Sequence, residues 1–445
     1  MRGITSKNIQ EAVSRAWDRD AALTNVERWL DICEREELGD CPENIDLLTC
    51  LFGASWYFTR LVFYLGKDII DAFDHADEFE FSGEAMKEHL LECTVQGDLE
   101  DKFEHLRIRK NYLMLRLFLS ALSGKLDQQY LESGLTDLAE ATLQTALQLL
   151  FKDTDQPHVD LAVLAMGRMA GHEMNFGSDL DLIFLYDSQS EEEQHNLIRK
   201  IESLLRHIAA PSAHGILYEI DMRLRPHGTS GTLISACNYF IEYHQGTREI
   251  WERQMMTRCR PVLDTSGLAE NSLAAVMPAI YSDYNLQLLS DEISSMRYRV
   301  EKELGNPPGK FEIKRGAGGI MDIDFISHYL QLAHGYKYPE LQTASTRKAL
   351  VMLQQLNFIN QVTAEELIDA YNYLKRIEGI LRIADLKNIS SYSKNPEDNF
   401  RLSRAMGFRE ESQLQGAERF IENYQEVTGS IRGHFTSIVG MLNKD

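Results

Sequence analysis

The 445-residue chain is poor in the features that mark several large protein classes. Its six cysteines, Cys33, Cys41, Cys50, Cys93, Cys237 and Cys259, are scattered and form no CxxC pair. That excludes a zinc ribbon or a disulfide framework and suits a reducing, cytoplasmic location. Each thiol is expected to act as a small buried hydrophobe. No apolar run approaches the ~18 residues that span a bilayer. The opening stretch MRGITSKNIQEAVSRAWDRD lacks the uninterrupted apolar core of a signal peptide. Positive charge is also scarce: 46 Lys and Arg against 68 Asp and Glu give a formal charge of −22. Nucleic acid and anionic membranes both need clustered positive charge, so neither is an expected partner. A few local Arg and Lys can still build a compact phosphate site against that field. A Walker A loop is missing, since no Gly-Lys-Ser/Thr follows Gly167 or Gly171. An EF-hand is excluded because Leu180 and Leu182 fill positions that must be polar.

What is present divides into three segments. With 44% hydrophobic and 26% charged residues the chain reads as globular and too long for one ordinary domain. Residues 1–150 are expected to be helical: Leu47, Leu48, Leu51, Phe52 and Trp56 recur at helical spacing, as do Leu138, Leu143, Leu147 and Leu150. Over 151–285 the pattern changes. DLAVLAMG reads as a buried strand, RMAGHEMNFGS as turns and DLDLIFLYD as a second strand. EEEQHNLIRKIESLLRHIAA reads as an amphipathic helix and GILYEIDMRLRP as another strand, which together describe a small α/β domain. Residues 286–445 return to helix, with a capping box expected at Thr363–Glu366. No low-complexity linker or fixed-period repeat interrupts these segments.

The chemistry concentrates in GHEMNFGSDLDLIFLYD, residues 171–187. Residues two apart on a strand share a face, so Asp179 and Asp181 point one way and Leu180, Leu182 and Phe184 the other. The expected strand around 220 divides likewise, with Glu219, Asp221, Arg223 and Arg225 on one side. Three aspartates meeting on one sheet face repel unless a divalent cation neutralises them. Mg²⁺ suits carboxylates plus phosphate oxygens, and two ions ~4 Å apart can clamp an in-line phosphoryl transfer. Gly177 would let the backbone approach a ligand closely, and the Ser178 hydroxyl and amide could bind phosphate oxygens. Arg223 and Arg225 could grip further phosphate charge, although taken alone they read more often as structural salt-bridge partners. A lone DxD is a weak signal; G-S-D-x-D with a third aspartate on a later strand is far more specific.

At these residues the sequence resembles the nucleotidyltransferase superfamily. GSDLDLIFLYD, YEIDMRLRPHGTSGTLIS, WERQMMTRCRPV and IKRGAGGIMDIDF are similar, in order and spacing, to blocks of the glutamine synthetase adenylyltransferase family. The resemblance implies an α+β fold: a small mixed-sheet nucleotidyltransferase domain between an N-terminal helical segment and a C-terminal helical bundle. It also implies transfer of AMP onto or off a tyrosine of glutamine synthetase, with ATP, or phosphate and ADP, as the small substrates. Asp179, Asp181 and Asp221 become metal ligands, and Gly177 and Ser178 hold the triphosphate. Arg223 and Arg225 belong to the strand motif, and Lys314 and Asp322 lie near the site. For Asp322 and Asp324 a plain charge pair at a helix N-terminus is the competing reading. A nitrogen-regulatory PII signal protein is the second implied partner.

Family members are long chains with two related halves, one adding AMP and one removing it, and this sequence has room for one half or is a fragment of a longer protein. NFGSDLDLIFLYD and IMDIDF lean towards the adding half, DMRLRPHGTSG and LLTCLFGAS towards the removing half, and addition is the favoured direction. A DxD glycosyltransferase leaves Gly177-Ser178 and the third aspartate unexplained. An inactive binding module leaves three intact aspartates unexplained.

Overall fold

The structure is a computed structural model that describes residues 6–35, 45–70, 73, 81–151, 160–188, 190–264, 266–410 and 412–440. Helices α1 to α5 (Ser6–Arg15, Arg19–Arg35, Ile45–Ala54, Trp56–Leu65, Gly83–Glu92) lead into the long pair α6 (Leu99–Leu122) and α7 (Gln128–Phe151). Strand β1 (Asp160–Met166), the short α8 (Gly167–Ala170), β2 (Leu180–Asp187), α9 (Glu191–Ala209), β3 (Ile220–Asp221) and β4 (Ser235–Ala236) follow. After α10 (Cys237–Gln245), α11 (Ile250–Met256) and β5 (Cys259–Asp264) come α12 (Leu268–Ile280), α13 (Leu286–Leu304) and β6 (Lys310–Glu312). Helices α14 (Ile320–His334), α15 (Thr346–Gln355) and α16 (Gln361–Ile383), strand β7 (Ser391–Ser393), α17 (Phe400–Ala405) and α18 (Gln413–Ile438) complete the order.

The sheet has five strands in the order β3-β2-β1-β5, with β4 also paired to β2. β1 runs antiparallel to β2 and to β5, whereas β3 and β4 lie parallel to β2, so the sheet is mixed. Its two faces feed two cores. Leu161, Val163, Ala165, Leu180, Leu182 and Phe184 join the core built by the N-terminal helices. Ala162, Leu164, Met166, Ile183 and Leu185 join the core of α10 to α18. A strand buried on both faces needs no polar alternation, which is why DLAVLAM is apolar throughout. Around the sheet, the helical segments expected from the leucine spacing are present, and Leu138, Leu143 and Leu147 of α7 are buried.

Several local expectations change. The helix through Leu47 to Trp56 is two helices, because Ser55 caps α4 through its side chain. Trp56 therefore leaves the core stripe; it is 59% exposed and stacks with Arg60. The expected strand GILYEIDMRLRP shrinks to Ile220–Asp221, since the chain turns at once after Asp221. The cap of α16 sits three residues upstream of the expected box: Asn360 accepts from the Thr363 N–H at 2.8 Å. Cys33, Cys237 and Cys259 are buried, Cys50 and Cys93 are half-buried, and Cys41 lies outside the described residues. Among the described residues no helix is long and apolar enough to cross a membrane.

Candidate active site

The site forms where the sheet's alternation meets its edge. Asp181 is the second residue of β2, and the parallel register sets it directly beside Asp221 of β3. The Leu180 N–H donates to the Glu219 carbonyl at 2.8 Å and locks that register. Asp179, one step before β2, shares the Asp181 side of the strand, and the three residues offer carboxylate oxygens within 4.8 Å of one another. Burial of Asp181, together with the charges of Asp179 and Asp221, pushes its pKa up to about 7; Lys314 and Arg223 oppose the shift. Asp221 moves the other way, chiefly through hydrogen bonds from Arg223. The Arg223 Nε lies 3.0 and 2.9 Å from its two oxygens, and the Arg223 backbone N–H donates at 2.8 Å.

Sequence reasoning missed the residue that makes room for Asp181. Gly167 directly follows β1 with φ +55, and a Cβ there would lie 2.6 Å from Asp181 Oδ2. The signal was an unremarkable glycine closing an apolar run.

The Gly-Ser step is shaped from behind by α16. Gly177 has φ +60, and the space a side chain would fill is taken by the backbone of Leu386 and Lys387 rather than by an open ligand cradle. The Ser178 amide donates internally to Asn175 O at 3.1 Å, so of the two groups expected to bind phosphate only the hydroxyl is available. Its oxygen accepts from the Asn175 N–H at 3.0 Å and from Arg382 Nη1 at 3.3 Å. With both lone pairs used, the hydroxyl proton is left to donate outward. Asn175 itself donates to the Lys375 carbonyl at 2.9 Å and to Glu378 at 3.3 Å.

The remaining expected residues divide. Lys314 is recessed, and its ammonium feels Asp179, Glu378, Arg168 and Arg382; burial first, then Arg168, lowers its pKa. Its charge reaches the aspartates: Lys314 opposes the upward shift of Asp181, and Asp179 opposes the downward shift of Lys314. Arg223 is on the site but is folded back onto Asp221, and its side chain is 74% exposed. Arg225 is turned into its own loop, donating to Met222 O at 2.7 Å and Gly231 O at 3.3 Å. Asp322 is fully buried in the first turn of α14. It pairs with Arg297, with Arg432 at 3.0 Å, and with the Gly318 N–H at 2.8 Å. That is the charge-pair arrangement, with the carboxylate committed to neighbours other than the three aspartates.

Behind the site lies a buried ionic network that the sequence did not disclose. Glu173 accepts from Arg258, from Tyr371 Oη at 2.7 Å and from the Thr346 N–H at 2.8 Å. Burial would raise its pKa, but Arg258 and Arg168 bring it down to about 2. Asp324 joins Arg168 and, at 3.0 Å, Arg258. Lys375 bridges Glu378 at 2.8 Å and Glu132 of α7 at 3.4 Å. The network ties α7, the turn after β1, and α14 to α16 to the loop that carries Ser178.

Three carboxylates this close, one of them driven towards neutrality by burial and then by the other two, form a donor set matched to a divalent cation. The hard oxygen ligands could hold one beside the free Ser178 proton and the Lys314 ammonium. A mixed sheet with this aspartate triad at its edge, set between helical layers, is a nucleotidyltransferase domain. The family model for glutamate-ammonia ligase adenylyltransferase matches residues 54–275. That span holds Gly177, Ser178 and all three aspartates. A second model, GlnD PII-uridylyltransferase, matches residues 295–439, which hold Lys314 and Arg382.

Three curated relatives are each named bifunctional glutamine synthetase adenylyltransferase/adenylyl-removing enzyme. That of Idiomarina loihiensis is 31% identical over 65% of this chain and 33% of its own length. That of Chromobacterium violaceum is 29% identical over 85% and 44%, and that of Streptomyces coelicolor 29% over 90% and 41%. The chain belongs to the glutamate-ammonia ligase adenylyltransferase family. It spans 33–44% of the length of these relatives.

Proposed function

We propose that the chain is a Mg²⁺-dependent nucleotidyltransferase that moves AMP from ATP onto a tyrosine of glutamine synthetase. The observation that carries this reading is the convergence of Asp179, Asp181 and Asp221 within 4.8 Å beside Ser178. The tyrosine oxygen attacks the α-phosphorus, the bond from that phosphorus to the oxygen bridging to the β-phosphorus breaks, and pyrophosphate leaves. Mg²⁺ held by the three aspartates would supply the positive charge that phosphate oxygens need in such a displacement. The chain's own groups orient the reaction: Ser178 donates its hydroxyl proton to a phosphate oxygen, and Lys314 places a cation on the same side. Asp221 accepts the phenolic proton once Arg223 swings off it. Because Arg223 is largely exposed, that swing costs little and delivers the guanidinium to the phosphates. Most of the rate comes from positioning and fixed charge.

The direction rests on NFGSDLDLIF and MDIDF, which lean towards the adding half. One observation supports the removing reading, in which orthophosphate attacks the tyrosyl-AMP ester and ADP leaves. The block LLTCLFGAS, which leans that way, docks beside the site: the Ser55 hydroxyl donates to Ile383 O at 2.6 Å, next to Arg382. The match of residues 295–439 to a PII-uridylyltransferase model supports a PII-type protein as a second partner. Mass spectrometry of glutamine synthetase incubated with the chain, ATP and Mg²⁺ tests the proposal. One added AMP mass per subunit is expected. Loss of AMP as ADP from modified enzyme supplied with phosphate, without gain from ATP, selects removal, and no change in either assay refutes both.

A further inference from the structure

We infer that the chain carries a second binding site, apart from the aspartates, for a small organic anion with an apolar or aromatic body. A cavity of about 980 Å³ lies where the N-terminal helices meet α16 and α17. Its volume is within the range of small-molecule sites, roughly 300–1,000 Å³. Trp17, Phe118, Phe176 and Tyr373 furnish aromatic wall. Trp17 and Phe118 meet edge-on at 6.2 Å, and Phe118 and Phe176 at 5.8 Å, so the surface is fixed rather than collapsible.

The charge of the lining points to an anion. Arg376, Arg404 and Arg409 line the cavity and Asp127 is the one acidic residue with them. Among the described residues none of the three arginines has a carboxylate at ion-pair distance. Their bonds go to main-chain carbonyls: Arg376 to Ala405 O at 3.0 Å, Arg404 to Ser14 O at 2.8 Å and Ala16 O at 2.7 Å, and Arg409 to Arg15 O at 3.3 Å. A guanidinium has five N–H donors, so Arg376 and Arg409 keep most of theirs. Burial first, then Arg19 and Arg409, presses the Arg404 pKa down, with Asp18 opposing. In a chain of net charge −22, three arginines lining one cavity with the single carboxylate Asp127 are the opposite of what general electrostatics would assemble. An anionic head at the arginines with its apolar body against the rings satisfies both halves of the lining.

The cavity also touches the catalytic loop, since Phe176 precedes Gly177 directly. The helix that supplies Tyr373, Arg376 and Gly379 to the wall supplies Arg382 to Ser178.

The probe is 8-anilinonaphthalene-1-sulfonate, an aromatic body with one anionic group, titrated by fluorescence into the intact chain. Saturation at one probe per chain is expected. Arg376→Glu, and Ala121→Trp to fill the space, should each weaken binding at least tenfold with an unchanged circular dichroism spectrum, and Arg299→Glu should not. The uncharged N-phenyl-1-naphthylamine should bind at least tenfold more weakly. Displacement by phenylacetate or by phenyl phosphate then distinguishes a carboxylate from a phosphate head. Should Ala121→Trp fail to fold, the exposed Arg376→Glu still decides. Equal binding by Arg376→Glu and the parent chain, or by the charged and neutral probes, overturns the inference.

Discussion

Replacing Asp181 with Asn removes a charge from the place where three carboxylates crowd. Turnover should be abolished, whereas the metal-free melting temperature should stay level or rise, because a repelling neighbour has gone. A melt showing an unfolded Asp181→Asn variant would make the residue structural. Gly167→Ala tests the room behind it: with φ +55 and a Cβ 2.6 Å from Asp181 Oδ2, it should cost more than ~1 kcal/mol and depress activity together. A variant of parental stability and activity would show that the carboxylate does not depend on that glycine. His244 gives a pH signature. It is buried, neither ring nitrogen has a partner among the described residues, and burial, with Arg248 and Arg253, lowers its pKa to about 4. A folded pKa below the unfolded ~6.5 means the unfolded state binds the proton first, so stability falls as pH drops from about 6.5 towards 4, by at most about 3 kcal/mol. His244→Phe should remove that part of the slope in urea melts taken at pH 7 and pH 5; an unchanged slope assigns it to carboxylates instead. Asp179, Asp181 and Asp221 were legible because period-two alternation fixes their side of the strand. Arg382, 204 residues from Ser178, was not, because local pattern carries no information about such a partner.

Helix α16 carries ions on its buried face. Lys375, Glu378 and Arg382 stand at spacings of three and four, and all three are buried. Their partners come from α7 and from the loop of residues 173–178. Glu378→Gln leaves Lys375 and Arg382 underpaired in a dry setting and should cost roughly 3–5 kcal/mol, the usual range for breaking a buried pair. Chemical denaturation measures it, and a loss under 1 kcal/mol would mean that water reaches the network. Strands β1 and β2 were legible from their unbroken apolar runs. Strand β3 was overextended because Arg223 and Arg225 continue the alternation of GILYEID, while the turn they form takes its hydrogen bonds from within: Arg225 spends its donors on Met222 and Gly231. At this scale Arg223→Ala should weaken nucleotide binding by ~1.5–3 kcal/mol, the range for charged hydrogen bonds. Arg225→Ala should instead lower stability. Calorimetry and thermal melts separate the two outcomes.

Across the whole molecule the sheet is a shared wall between two cores, so the three segments visible in the sequence are not three independent bodies. Residue Ile383, near the end of α16, belongs to the N-terminal core. A chain truncated after residue 285 keeps α10 and α12 against Ala162, Leu164, Met166, Ile183 and Leu185 but loses α13 to α18, the rest of that core. It should show helical circular dichroism without a cooperative melt, and a sharp two-state melt would show that the sheet needs one core only. The sequence could indicate helical flanks and a central sheet, but periodicity does not say which flank covers which face. The two-faced sheet also sets a timetable for birth. Helices α10 and α12 flank β5 in the sequence and cover the second face almost at once, but at ~5–20 residues per second a ribosome that has just made β5 needs on the order of ten seconds to deliver α13 to α18, which complete the core around them. During that wait the outer apolar sides of α10 and α12 stand open, the kind of transient surface that chaperones cover.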